Sequence, residues 1–257
     1  MTSRFVRSSL LALTAVLAAR SALADVATAD DAYAKLLIKY VTPAGVRYEA
    51  WRSTGGDLKR LSEVLMAYRT ADIAPMKPVE REALLINLYN AQVVELVLQA
   101  RPQESIRDLS RGLNPNEIFK RKILVLAGKA SSLNDIEDRL RSEFKDPRTH
   151  FAIDRASRSG PRLRPEPYLA SSLDDQLDDA TRSFLAGPGE ARVVRTGGRT
   201  ILTVSKIFDW YAKDFAPAGG VDAFLAKYGP KDVADAVADG RAKIDYADYD
   251  WSLNGVR

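Results

Sequence analysis

The stretch LLINLYNAQVVELVL, residues 84–98, decides the fold because it is apolar on nearly every face of a helix. A helix that is apolar all round is buried, so these residues predict the core of a long helix over 79–100. Two amides, Asn87 and Asn90, interrupt the stretch three residues apart. A buried amide costs about 1–3 kcal/mol unless it is hydrogen-bonded. These asparagines therefore either hold neighbouring backbone or line a polar site.

Around this helix the pattern predicts an α+β fold. Apolar residues at helical spacing predict helices at 32–41, 56–71, 131–144, 173–185 and 206–215, and two short helices between 219 and 240. Residues rich in β-branched and aromatic side chains predict strands at 46–48, 120–128, 148–154 and 243–254, and a hairpin at 191–205. Residues 25–31 read as a disordered lead-in. We expect residues 25–257 to form a mainly helical single domain around a small, mostly antiparallel sheet.

The first 24 residues resemble a secretory signal peptide. A basic start with Arg4 and Arg7 precedes the apolar run LLALTAVLAA (10–19), and Ala22-Leu23-Ala24 follows the small-x-small pattern of signal peptidase sites. The apolar run is too short for a helix of about 20 residues that spans a bilayer. We therefore expect cleavage after Ala24, a periplasmic or secreted protein and no stable membrane span; an uncleaved anchor is the alternative.

Composition excludes several function classes. Removal of residues 1–24 takes away three arginines and no acid, so the formal charge falls from +4 to +1. No basic cluster predicts a nucleic-acid partner. The chain has no cysteine, which excludes thiolate nucleophiles, thiolate metal sites, iron–sulfur clusters and disulfides. No zinc-protease histidine pair, nucleophile elbow, P-loop or dinucleotide fingerprint is present, so we predict neither a metal nor a cofactor.

Two residues are candidates for catalysis. His150 is the only histidine, and histidine is the commonest general base. In a strand over 148–154, Arg148 and His150 lie on one face. Glu137 is the acid nearest the apolar stripe of its helix. The alternative for Glu137 is a partly exposed ion pair with Arg141, four residues on, and for His150 a structural role in the core.

Two further polar residues are candidates for ligand binding, together with Asn87, Asn90 and Arg148. Ser159 precedes Gly160-Pro161 in an arginine-rich loop, where turn chemistry is the alternative explanation. Lys206 begins a helix, where a cation is slightly unfavourable, which indicates that it has a partner.

Seven segments, in order, resemble a family of unknown function, DUF547. They are LLINLYNAQ (84–92), FKRKILVLAGKASSLNDIE (119–137), DPRTHFAID (146–154), SGPRLRPEPY (159–168), LDDQLDDATRSFL (173–185), LTVSKIFDWYAKDF (202–215) and YDWSLN (249–254). The motif positions include every candidate above. Where the family pattern has two cysteines, this chain has Arg155 and Gly160. If relatives use one of these cysteines as a nucleophile, this chain cannot; if they pair them, it lacks the disulfide.

The resemblance implies no established activity, so three hypotheses stay open. The first is a periplasmic binding or scaffold protein whose polar pocket near Asn87, Asn90 and His150 takes a small molecule or an envelope partner. The second is a cysteine-less hydrolase with His150 as general base assisted by Glu137. The third is a purely structural envelope protein. The basic loop at 155–164 indicates either an anionic ligand or solvated charge.

Overall fold

The structure is a computed structural model that describes residues 25–256, so the expected signal peptide lies outside the described residues. The described residues contain ten α-helices. They are α1 (residues 25–40), α2 (Tyr48–Arg52), α3 (Gly55–Thr70), α4 (Pro78–Ala100), α5 (Glu117–Lys120), α6 (Leu133–Arg139), α7 (Leu173–Leu185), α8 (Ile207–Trp210), α9 (Gly220–Tyr228) and α10 (Lys231–Ala238). A single π-helical turn, Leu140–Phe144, continues α6. Three short 3₁₀ helices are also present, at Ile106–Leu109, Pro147–Phe151 and Ala212–Ala218.

Helix α4 is the centre of the larger of two apolar cores. Every side chain from residue 83 to residue 94 is buried. Pro78 at the first helical position starts α4, and Arg101 in the left-handed conformation ends it. By length and composition α4 alone among the described helices could cross a membrane, but 78% of its most apolar window is buried within the fold, as is typical of a core helix.

The strands form three small sheets rather than one. Two are two-stranded antiparallel hairpins, and the third has the order β5-β6-β7, with β5 and β6 antiparallel and β6 and β7 parallel. The strands are β1 (Val41–Thr42), β2 (Gly45–Val46), β3 (Leu124–Leu126), β4 (Lys129–Ser131), β5 (Ala191–Thr196), β6 (Arg199–Val204) and β7 (Lys243–Tyr246). The mainly helical α+β class is confirmed, but the sheets lie beside the helical core and nothing is built around a single sheet.

Two local predictions are wrong. Residues 25–31 belong to α1 instead of a disordered lead-in, because the segment is rich in alanine and its Asp30 carboxylate accepts the Tyr68 hydroxyl at 2.6 Å. Residues 147–151 form a 3₁₀ helix instead of a strand. The Asp146 side chain caps this helix by accepting the backbone N–H of Arg148 at 2.9 Å, and Pro147 has the fixed φ of a first helical residue.

The last described residues form hydrogen bonds to two segments that are distant in sequence, around residues 46 and 156. The backbone of Asn254 donates to Ala156 and accepts from Val46, at 3.2 and 3.0 Å. The amide nitrogen of the Asn254 side chain donates to both carboxylate oxygens of Asp154 at 3.1 Å. Asp154 also accepts the backbone N–H of Ala156 at 2.8 Å. These bonds connect the loop after the 3₁₀ helix at 147–151 to the last described residues and, through them, to β2.

Candidate functional site

His150 lies in the interior, with only 1% of its surface exposed. The 3₁₀ helix at 147–151 presents it to the segment that follows α8. There its Nε2 lies 2.8 Å from Oδ2 of Asp214, and its ring stacks on the ring of Tyr211 with 4.1 Å between centroids. His150 and Asp214 also line a small cavity of about 200 Å³, together with Arg141, Asp146 and two lysines. Arg141 donates to both Asp214 oxygens.

The electrostatics of this pair favour a neutral imidazole. Burial lowers the pKa of His150, although the Asp214 carboxylate opposes the shift. The hydrogen bond from His150, helped by the Arg141 guanidinium, holds the pKa of Asp214 well below its usual range. We assign the proton to Nε2, since the ionised Asp214 can only accept. The basic lone pair is then on Nδ1, which is buried and has no hydrogen-bond partner among residues 25–256.

Glu137 does not bond to His150. It pairs instead with Arg155, whose Nη2 lies 2.7 Å from Oε1 of Glu137, and both side chains are buried. Burial alone would raise the pKa of Glu137, but the guanidinium of Arg155 and the hydroxyl of Tyr211 hold it below its usual value. The expected partner Arg141 pairs with Asp214, so that ion-pair expectation is wrong.

The side-chain amides of Asn87 and Asn90 each donate one hydrogen bond to loop backbone and accept another from it. Asn87 donates to the carbonyl of Tyr168 and accepts the N–H of the same residue, both at 2.8 Å. Asn90 donates to the carbonyl of Ala152 at 2.9 Å and accepts the N–H of Asp154 at 2.8 Å. These bonds satisfy the buried amides, so the two asparagines tie α4 to the loops that cross it.

The remaining candidates lie in other places. Arg148 is engaged by acids, with its guanidinium 2.7 Å from Asp146 and 2.5 Å from Asp178. Ser159 and Lys206 share a cleft of about 320 Å³ with neither His150 nor the asparagines in its lining. In that cleft the Ser159 hydroxyl accepts the backbone N–H of Asp250 at 3.0 Å. Lys206 has the partner that its position indicates: its Nζ lies 2.9 Å from Asp209.

A further cavity, of about 390 Å³, is lined in part by the basic loop at 155–164. We call it the arginine cleft; residues from 41–43, 158–165 and 179–190 line it, with Phe151 at its base. Its floor is apolar, because the buried side chains of Phe151, Leu163 and Phe184 line it. Its rim is charged and includes Arg158, Arg162, Arg164, Asp179 and Glu190.

The described residues offer no group of three or more histidine, cysteine or acidic side chains placed to hold a metal ion. Asp214 and Tyr211, the two neighbours of His150, were missed by sequence reasoning. Nothing in residues 206–215 distinguishes Asp214 from the other acid of that segment before the fold is known.

Residues 73–185 match the model of the family described as Protein of unknown function, DUF547. This segment is therefore similar to the DUF547 family. The matched segment begins shortly before α4 and ends with α7, so it contains His150, Glu137 and both asparagines, whereas Lys206 and Asp214 follow it. No curated protein and no solved structure matches the chain.

Within the matched segment, the two positions where the resemblance implies cysteines are both tightly packed. Arg155 fills the first with the cation of the buried pair. At the second, a Cβ added to Gly160 would lie 2.6 Å from the Ser157 hydroxyl and 3.0 Å from the Tyr249 hydroxyl. A side chain at residue 160 would therefore displace the hydrogen bond of 2.7 Å between those two hydroxyls.

Proposed function

We propose that this protein is an exported binding protein of the cell envelope that holds a small ligand in the arginine cleft and does not transform it. The observation that carries this proposal is the cleft itself. Its volume of about 390 Å³ falls within the range of about 300–1,000 Å³ typical of ligand sites. Its lining combines an apolar floor with a few charged groups, which is the usual composition of such sites.

Export rests on the sequence of residues 1–24. The basic start, the short apolar run and Ala22-Leu23-Ala24 together favour secretion and a periplasmic or extracellular location. The absence of cysteine is compatible with that compartment, since the chain then needs no disulfide chemistry.

The position of the site differs from the sequence expectation of a pocket near Asn87, Asn90 and His150. Both amides bond to the backbone of neighbouring loops, Asn87 also donates to Asp30, and His150 lines a separate, smaller cavity. The neighbouring residue, Phe151, lines the arginine cleft. The ligand site that we propose is therefore a different cavity, which the same 3₁₀ helix lines through Phe151.

The geometry does not favour the hydrolase alternative. A general base needs its lone pair within hydrogen-bond reach of the substrate. The free Nδ1 of His150 is buried, and Glu137 is neutralised by Arg155. No serine or threonine hydroxyl bonds to His150 among residues 25–256.

Export is tested by producing the full chain in a Gram-negative host and measuring, by mass spectrometry, the mass of the protein in the periplasmic fraction. We expect the mass of a chain that begins at Asp25. A variant with Ala24→Arg, which disrupts the small-x-small pattern, should keep residues 1–24. Recovery of the unprocessed wild-type chain from the cytoplasm would contradict export.

Binding is tested by NMR on the isotope-labelled protein with acetate, sulfate, glucose, choline and hexanol as probes. We expect amide shifts that cluster at residues 158–165 and 179–190. Shifts confined to the surroundings of His150, or no shifts with any probe, would contradict the assignment of the arginine cleft as the binding site.

A further inference from the structure

The cations on the rim of the arginine cleft differ in what they bind. Arg164 is already neutralised, because its guanidinium pairs with Asp179 and, at 2.5 Å, with Glu166. Arg158 and Arg162 form no ion pair with any described carboxylate. Arg162 donates one hydrogen bond, from Nη1 to the carbonyl of Pro43 at 3.0 Å, and Arg158 donates none from its side chain to a described residue. Two guanidinium groups with unused donors therefore face the cleft.

The floor offers the opposite chemistry. Phe151 and Phe184 both line the cavity, with 5.1 Å between their ring centroids, and they expose 1% and 7% of their surfaces. Leu163 and Ala180 complete this surface. Apolar surface in contact with water is unfavourable, and its burial by a ligand contributes to binding. The floor therefore favours a ligand with an apolar body.

Glu190 restricts which anions fit. Its carboxyl lies at the edge of the cleft, where the charge of Arg162 acts on it, and burial raises its pKa to about 7. Glu166, Asp179 and Asp250 are the other carboxylates near the rim. Glu166 and Asp179 both pair with Arg164, and the charge of Arg158 acts on Asp250. Only Arg158 and Arg162 lack an ion-pair partner, and nearby carboxylates already balance part of the cationic charge, so the cleft favours a ligand head with a single negative charge.

We infer that the ligand of the arginine cleft is an amphipathic organic acid, whose one anionic head binds Arg158 and Arg162 and whose apolar body covers Phe151, Leu163 and Phe184. Guanidinium groups bind carboxylate, sulfate and phosphate heads through paired hydrogen bonds, so the head is defined by its charge and its planar or tetrahedral oxygens. This inference rests on the proposed binding function and names the ligand class for that site.

Calorimetry with matched probes tests it. Octanoate carries both parts, acetate carries only the head, and 1-octanol carries only the body. We expect octanoate to bind at least about tenfold more tightly than either partial probe, because each buried methylene and the charged head add to its affinity. Octyl sulfate and octylphosphonate, measured alongside, identify the preferred head; each should also exceed 1-octanol.

Variants locate the two parts. The double change Arg158→Ala/Arg162→Ala should weaken octanoate about tenfold and leave 1-octanol unchanged. Its matched control is Arg195→Ala/Arg199→Ala, which removes the same charge from two exposed arginines of the β5–β6 hairpin, outside the cleft lining. Ser183→Trp places an indole in the cleft from an exposed position of α7 and should weaken octanoate and 1-octanol together. Thermal melting checks that each variant is folded.

The outcomes separate this inference from the proposed function. If either acetate or 1-octanol binds in the cleft as tightly as octanoate, the cleft binds a ligand of another class. In that case only the inference is overturned. If octanoate binds but neither the arginine pair nor Ser183→Trp changes its affinity, the site lies elsewhere and the inference is also overturned. If no probe binds, both the inference and the proposed binding site are overturned.

Discussion

Arg155 and Glu137 form an ion pair in the interior, with 2.7 Å between Nη2 and Oε1. Loss of one partner leaves the other charge buried without compensation. Arg155→Met or Glu137→Gln alone should therefore lower the free energy of unfolding by about 3–5 kcal/mol. The double variant should lose less than the sum, since no lone charge remains. Urea unfolding measures all three.

The control for this pair is an ion pair on the surface. Lys231 and Asp235 lie 2.7 Å apart with both side chains exposed, so Lys231→Met should change stability by no more than about 1 kcal/mol. If the losses of the two buried variants were strictly additive, the pair would not be coupled and this account of Arg155 would fail.

Asn90 supplies a second prediction about stability. Asn90→Ala removes a donor from the carbonyl of Ala152 and an acceptor from the N–H of Asp154, and both groups are buried. Each unsatisfied group costs about 1–3 kcal/mol, so the free energy of unfolding should fall by about 2–6 kcal/mol. Ligand affinity of the folded variant should not change. Asn116→Ala, an exposed change, serves as the control in the same unfolding assay and should have little effect.

The sequence predicts those elements and contacts that depend on local pattern. Helix α7 matches the predicted range 173–185 at both ends, because its apolar residues repeat at helical spacing and two acids occupy its first turn. The hairpin at 191–205 is confirmed as β5 and β6, because two β-branched runs flank the glycine pair of the turn. The asparagines of α4 could be identified as buried amides, because the helix around them is apolar on every face.

What the sequence misses depends on contacts between distant segments. Asp214 lies 64 positions after His150, and no local spacing relates them. The arginine cleft exists only because three separate segments meet beside Phe151. The strand prediction for 148–154 is wrong because it rests on β-branched residues alone, whereas Asp146 and Pro147 begin a 3₁₀ helix.

His150 can be followed by NMR without ambiguity, since it is the only histidine. Burial lowers its pKa, so we expect a midpoint below the ordinary value of about 6.5. Asp214→Asn should lower the midpoint further, because it removes the carboxylate that favours the imidazolium. Arg182→Gln, a charge change outside the lining of that cavity, is the control. A midpoint at or above the ordinary value would contradict the buried, neutral state.

Asp154 supplies the last prediction, on the pH dependence of stability. Burial raises its pKa to about 7, although Asn254 and the N–H of Ala156 bond to it. An unfolded aspartate has a pKa of about 3.9, so between about pH 4 and pH 7 the folded protein retains a proton that the unfolded chain releases. The folded state then binds more protons, and the contribution of Asp154 to stability falls as the pH rises through this range.

Asp154→Asn mimics the protonated acid and should remove that slope, so wild type should lose a few kcal/mol of unfolding free energy relative to the variant from pH 4 to pH 8 in urea unfolding. Asp232→Asn, at the exposed start of α10, is the control and should run parallel to wild type. If Asp154→Asn also runs parallel to wild type, the carboxyl of Asp154 ionises normally and its raised pKa is wrong.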